Sequence, residues 1–286
     1  MFVDRNQLSQ LLPYYHKKLG KTFEANEIEQ IFFLMAFLVF GLEKIEIRTK
    51  TTLLSESELL FQKEIINRLL NQEPIEYIIG KVEFYDLILH VSPVTLIPRP
   101  ETAELVDLLI SNHPEENLNL LDIGTGSGCI PLAIKSIKNS WQVAGVDISK
   151  EALDVATINS NKLNLSINWI EADILKDNLP EGLKLDIIVS NPPYVLESDK
   201  QSMHDNVLKY EPSLALFVPD EKPLLFYNRI INLAKASLKK NGTLYFEIHE
   251  NFGSEVLESM NKNGFISCEI VKDLQGKDRI VFGQLA

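Results

Sequence analysis

A chain of 286 residues with 45% apolar content has the material for a folded core and roughly two domains, which excludes a disordered or fibrous polymer. Asp+Glu 40 against Lys+Arg 28 gives a formal charge of −12, a field that opposes non-specific binding to phosphate backbones. The two cysteines, Cys129 and Cys268, are too few for a disulfide framework and fit no metal spacing, so a reducing cytoplasm is expected and each is expected to be a small buried residue.

The first residues carry Asp4 and Arg5 and no apolar run followed by a small-residue cleavage site, so no secretory signal is expected. The most apolar stretch, "IFFLMAFLVF" (31–40), is about half the length of a membrane span and reads as a buried helix. "ANEIEQIFFLMAFLVFGL" and "SESELLFQKEIINRLLNQ" place apolar residues three and four apart, with Ser55 or Ser57 as N-cap, and residues 1–72 therefore read as a small helical domain. Residues 73–98 are β-branched and aromatic, punctuated by Gly80, Asp86 and Pro93, and read as a β-hairpin linker.

From 99 to 286, strand and helix patterns alternate. "ETAELVDLLIS" is followed by "LNLLDIG", "CIPLAIKSI", "QVAGVD", "KEALDVATINSNKL", "INWIEAD" and "LKLDIIVSNPPY", then by "PLLFYNRIINLAKASL", "GTLYFEI", "GSEVLESMNK", "FISCEIV" and "DRIVFGQL". Strands separated by helical lengths predict an α/β, Rossmann-like, mostly parallel sheet; the last two runs lack a helix between them and predict an antiparallel pair at the sheet end. Residues 197–222 form a long segment outside this alternation and read as a candidate lid.

Chemistry concentrates at the strand ends. "LLDIGTGSG" puts Gly124, Gly126 and Gly128 between a strand and a helix, where glycine permits a tight turn and close approach of a ligand to the backbone. Asp122, Asp147, Asp173 and Asn191 each fall at or beside the carboxyl end of one of the first four strands of the alternating half, ends that converge on one crevice in an open α/β sheet. Asp147 suits a ribose diol, Asp173 an adenine amino group, and Asp122 the amino group of an amino-acid tail. No phosphate cradle G-x-x-x-x-G-K-[ST] is present, so a nucleoside joined to an amino acid, S-adenosylmethionine, fits, with NAD as the alternative. His16, His90, His113, His204 and His249 are scattered without partners at ligand spacing, and no metal site is expected.

Taken in order, "TLIPRPET", "LLDIGTGSG", "VDIS", "IVSNPPY", "YEPSLAL" and "GKDRIVFG" resemble the peptide chain release factor glutamine methyltransferases, the HemK/PrmC family. The resemblance implies a class I methyltransferase fold with S-adenosyl-L-methionine as cofactor and S-adenosyl-L-homocysteine as product, held by Asp122, the turn Gly124, Thr125, Gly126, Ser127 and Gly128, and by Asp147, Asp173 and Asn191. It implies a class I release factor as protein substrate, methylated on the glutamine of its Gly-Gly-Gln motif and recognised by the N-terminal helical domain; from the charge of −12 no stable nucleic-acid binding is expected, and from the shortness of the apolar run no membrane. Asn191 Oδ1 and the Pro192 carbonyl are then the acceptors for the two amide hydrogens, with Pro193 and Tyr194 shaping the slot and Tyr194 packing on the amide plane. Arg99, Glu101, Phe84 and Glu211 are implied near the mouth or the loop behind it. The sequence departs from the family pattern at Ile174, where an aromatic is usual, and at Glu247-Ile248-His249, where Glu-x-Gly is usual. NPPY-like turns also serve amino-methylating enzymes of nucleic-acid bases, and a non-catalytic binding protein for a translation factor is the reading from another class.

Overall fold

The computed structural model describes residues 6–180 and 182–286, and Asp4 and Arg5 lie outside the described residues. The chain divides into two compact units, one running to Glu83 and including His204–Tyr210, the other comprising Phe84–Met203 and Glu211–Ala286.

The first unit is helical: α1 (Leu12–Leu19), α2 (Ala25–Phe40), α3 (Lys44–Thr49), α4 (Glu56–Leu69) and the short α5 (Ile75–Ile79). Ser55 caps α4 in a reciprocal capping box with Glu58, which satisfies donors that the helix itself leaves unpaired. Leu19, Phe32, Met35, Ile65 and Leu69 share one core with Tyr15, whose hydroxyl donates to Gln62 Oε1 at 2.7 Å. The apolar run 31–40 is buried on one side only: Phe32, Met35, Ala36 and Leu38 are inside, while Phe33 is partly exposed under the Lys44 ammonium, 4.7 Å from its ring centre.

The residues expected to open the hairpin are helical instead. Pro74 at the N-cap and Gly80 in the left-handed conformation at the C-cap bracket Ile75–Ile79, and burial of Ile75, Tyr77 and Ile78 outweighs their β propensity. The hairpin itself is confined to β1 (Lys81–Phe84) and β2 (Leu87–His90), joined through Tyr85 and Asp86, both at positive φ as a tight primed turn requires.

In the second unit, α6 (Pro100–Asn112), β3 (Asn119–Ile123), α7 (Cys129–Ile137), β4 (Gln142–Asp147), α8 (Lys150–Leu163), β5 (Asn168–Glu171) and β6 (Leu185–Ser190) alternate in chain order. After the two-residue β7 (Val195–Leu196), α9 (Asp205–Tyr210) belongs to the helical unit, and β8 (Phe217–Val218) returns to pair in parallel with β7. The fold closes with α10 (Leu225–Ser237), β9 (Leu238–Glu247), α11 (Gly253–Lys262), β10 (Phe265–Lys272) and β11 (Asp278–Leu285).

The seven-stranded sheet has the order β10-β11-β9-β6-β3-β4-β5. Strands β5, β4, β3, β6 and β9 run parallel, and β11 enters antiparallel beside β9 with β10 antiparallel to it at the end. The chain moves outward from β3 to β4 and β5 and then returns to β6 on the other side of β3, so the order reverses between β3 and β6 and opens a crevice at their carboxyl ends. Ile123, Val146, Ile188, Leu244 and Phe246 from the strands pack with Tyr227, Ile230, Ile231 and Val256 from α10 and α11. Among the described residues no helix is long and apolar enough to cross a membrane.

Candidate active site

A cavity of about 700 Å³ opens at this reversal of strand order. Its lining includes Thr125, Gly126, Ser127 and Cys129 after β3, Asp147 and Ile148 at the end of β4, Asp173 and Ile174 after β5, and Asn191, Pro192 and Pro193 after β6. Arg99 and Thr102 at the start of α6 also line it.

The turn after β3 is built for close approach. Gly124 and Gly126 have φ of 77° and 54°, and Gly124 and Thr125 both donate their N–H to the Val146 carbonyl, which fastens the turn to the neighbouring strand. Gly128 starts α7 at φ 78°, and a Cβ there would lie 2.7 Å from the Trp169 ring, so packing and backbone both demand glycine. The N–H of Gly126 donates to Asp147 Oδ2 at 2.8 Å, while Asp147 Oδ1 accepts from Ser149 N–H at 2.9 Å. Asp147 therefore braces the turn and still has lone pairs for a ligand's hydroxyls.

Beneath the turn, the buried Asp122 has neither carboxylate oxygen hydrogen-bonded, and the hydroxyls of Thr125 and Ser127 are also buried without partners. Burial raises the Asp122 carboxyl to about 7, the Thr125 hydroxyl pulling it down and the Asp147 carboxylate adding to the rise. Three orphaned polar side chains around one glycine turn are the mark of a polar group that belongs there, since unpaired buried groups cost free energy in the folded chain. Asp173 is engaged by its own loop: Oδ1 accepts from Leu175 N–H at 3.0 Å and Oδ2 from the Lys176 ammonium at 2.8 Å, which keeps it below the usual carboxylate range.

After β6, Ser190 is tied to the Ile123 carbonyl at 2.6 Å, fixing the point from which Asn191 departs. Asn191 Nδ2 donates to Thr102 Oγ1 at 3.2 Å, and that hydroxyl donates to Glu247 Oε2 at 2.6 Å. Tyr194 does not line the cavity: its hydroxyl donates to Glu247 Oε1 at 3.0 Å and its ring meets His249 edge-on. Pro192 and Pro193 thus line the cavity, while Tyr194 ties the turn to Glu247. Burial raises the Glu247 carboxyl, with Thr102 and Tyr194 opposing as donors.

Arg99 pairs with the buried Glu211 carboxylate at 2.6 and 2.7 Å, linking the start of α6 to the loop after α9. Phe84 is buried but is not a cavity residue. Cys129 and Cys268 are partly exposed rather than buried, Cys129 because it faces the cavity from the first turn of α7. Among the described residues no group of His, Cys, Asp or Glu is arranged to hold a metal ion.

Residues 103–210 match the family described as Methyltransferase small domain. A release factor glutamine methyltransferase of Bacteroides thetaiotaomicron is 40% identical over 275 residues, covering 96% of this chain and 99% of its own. The chain belongs to the release factor glutamine methyltransferases. The family's enzyme from Streptococcus pneumoniae is 38% identical over 96% of this chain and 97% of its own. Among solved structures, a methyltransferase from Pyrococcus furiosus superimposes with a TM-score of 0.52 at 17% identity over 76% of this chain and 96% of its own. The Thermus thermophilus 16S rRNA N2 G1207 methyltransferase does so with a TM-score of 0.53 at 16% identity, over 72% and 50%. Both likenesses concern the fold, that of class I methyltransferases. Of the "RPET" residues, Arg99 and Thr102 line the cavity and Glu101 does not, and the partner of Thr102, Glu247, lies 145 positions away. The signal for Thr102 was present in the helix period: Thr102, Leu105, Val106 and Leu109 form the buried stripe of α6, and Glu101 lies off it.

Proposed function

We propose that this chain transfers a methyl group from S-adenosyl-L-methionine to the side-chain amide nitrogen of the glutamine in the Gly-Gly-Gln motif of a class I peptide chain release factor. The observation that carries the reading is the Asn191-Pro192 turn, lining a cavity whose other end is the glycine turn, with the buried Asp122 carboxylate beneath that turn and outside the lining. The residues suit the cofactor. The free Asp122 oxygens would accept from its amino-acid ammonium, the turn 124–128 would admit its backbone-facing edge, Asp147 would take the ribose hydroxyls, and Asp173 with Ile174 would meet the adenine.

When bound, the cofactor supplies an electrophilic methyl group and its own leaving group. What the protein must do is hold a poor nucleophile. An amide nitrogen shares its lone pair with the carbonyl, so the two N–H bonds must be gripped and the nitrogen aimed. Asn191 Oδ1 and the Pro192 carbonyl serve as the two acceptors, and consecutive prolines keep that carbonyl out of any helix or sheet. Orientation of this kind is worth up to about 7–11 kcal/mol in well-aligned model reactions. The proton leaves the nitrogen after methylation to water or a nearby carbonyl, and no histidine is assigned as base.

Recognition of the protein substrate is assigned to the helical unit, which carries Ile45, Leu53, Leu60 and Leu70 as exposed large apolar side chains. A release factor substrate implies the cytoplasm. The test is transfer of labelled methyl to a purified class I release factor, to its Gln→Ala variant and to an oligonucleotide, with wild type and Asn191→Ala. Label on the release factor alone, lost with either substitution, supports the reading. Label on the oligonucleotide, or none on the release factor, overturns it.

A further inference from the structure

Proton bookkeeping around Thr102 fixes which way the Asn191 amide faces. The Thr102 hydroxyl has one proton and lies 2.6 Å from Glu247 Oε2. With Glu247 ionised the carboxylate has no proton to give, and the hydroxyl donates to it. Toward Asn191, 3.2 Å away, the same oxygen can then only accept. The amide must present Nδ2 to Thr102, which leaves Oδ1 for the cavity that Asn191 lines. Glu247 is held in this role from several sides. Burial raises the Glu247 carboxyl; against it the Thr102 and Tyr194 hydroxyls donate to its two oxygens at 2.6 and 3.0 Å and the Arg279 guanidinium favours its charge, while Glu101 opposes it.

We infer that Thr102 and Glu247 are positioning residues that polarise a relay, Glu247 ← Thr102 ← Asn191, whose output is an Asn191 side chain locked with its carbonyl oxygen toward the substrate amide. The inference rests on the proposed methylation of a glutamine amide, which needs an acceptor at that place. A reversed Asn191 would set N–H against N–H and repel the nucleophile. The relay also joins three remote parts of the chain, α6, the turn after β6 and the end of β9, so the acceptor stands on the packed core rather than on a loop alone.

The variants are Thr102→Val, which keeps the shape and removes both hydrogen bonds, and Thr102→Ser, which keeps both. The expected result for Thr102→Val is a kcat for release factor methylation roughly 100-fold lower, the order of loss that misplacing a reacting group causes, with cofactor Kd unchanged within a few-fold. Thr102→Ser should return kcat to near the wild-type level. Activity of Thr102→Val within about two-fold of wild type overturns the inference, and so does a Ser variant as impaired as the Val variant, which would make packing the cause.

A second measurement needs no substrate. In wild-type protein labelled with 15N-asparagine, the Asn191 side-chain NH₂ protons should show a nuclear Overhauser contact to the Thr102 methyl group, with the resonance assigned by its disappearance in Asn191→Ala. Absence of that contact means a reversed amide and overturns the relay even if the enzyme is active. If wild type methylates no release factor, the proposed function fails while this contact still decides the orientation. It decides equally if Thr102→Val does not fold.

Discussion

Asp122 offers a quantitative test of the orphaned carboxylate. In the folded chain without ligand its carboxyl is raised by burial to about 7 against an ordinary 3.8, the nearby Thr125 hydroxyl offsetting only part of the rise. Below pH 4 the group is protonated folded or unfolded and contributes nothing to the pH dependence. As pH rises past 4 the unfolded chain releases its proton while the folded chain retains it, so stability falls until the folded group also ionises near pH 7. At about 1.4 kcal/mol per pH unit the loss accumulated above pH 7 is on the order of 4 kcal/mol. Asp122→Asn keeps the shape and cannot ionise, so it should match wild type near pH 4 and exceed it by several kcal/mol at pH 8. Urea unfolding of both proteins across pH 4–8, free of cofactor, measures the difference and cancels every other titrating group. A difference that is flat with pH would refute the reasoning, because it would mean that Asp122 ionises in the folded chain as freely as in water. The variant should at the same time lose cofactor affinity, the expected cost of removing a carboxylate placed to meet an ammonium.

Gly128→Ala should destabilise the fold by about 2–4 kcal/mol in urea unfolding, since the methyl group meets Trp169 at 2.7 Å and the residue stands at φ 78°. Breaking the Arg99–Glu211 pair should be asymmetric: Arg99→Ala leaves the buried Glu211 carboxylate exposed to the full desolvation cost, whereas Glu211→Ala removes that charge, so thermal unfolding should show the arginine variant as the weaker of the two. Ser55→Ala, which removes the α4 cap, should cost about 1 kcal/mol in the same measurement without changing cofactor affinity.

Local pattern carried most of the second unit. The predicted runs 129–137, 142–147, 150–163, 253–262 and 278–285 coincide with α7, β4, α8, α11 and β11, because each has a clear hydrophobic period bounded by Gly, Asp, Ser or Asn. Where pattern and context disagreed, context won. Ile75–Ile79 reads as strand by composition and folds as helix, since its caps and the burial of three side chains decide. The short α1, α3 and α9 are too brief to show a period, and the return of α9 to the helical unit has no local sign at all.

The site divides along the same line. Gly124, Gly126 and Gly128, the aspartates at the strand ends and the Asn191-Pro192-Pro193 turn could be read from the sequence, because a parallel sheet with crossover helices always delivers its carboxyl strand ends to one edge. Their states could not. That Asp122 lacks partners, that Asp173 is occupied by Lys176, and that Tyr194 faces the core are outcomes of packing. Glu247 shows the limit most clearly. It stood out in the chain only as part of a departure from the family pattern, and it became the anchor of Asn191 through the sheet order β9-β6-β3, which brings positions 102, 191, 194 and 247 together. Sequence by itself determined the strand-end chemistry, since that depends on residues adjacent in the chain. Tertiary structure alone decided the hydrogen-bond polarity of the acceptor, since that depends on which distant group owns each proton.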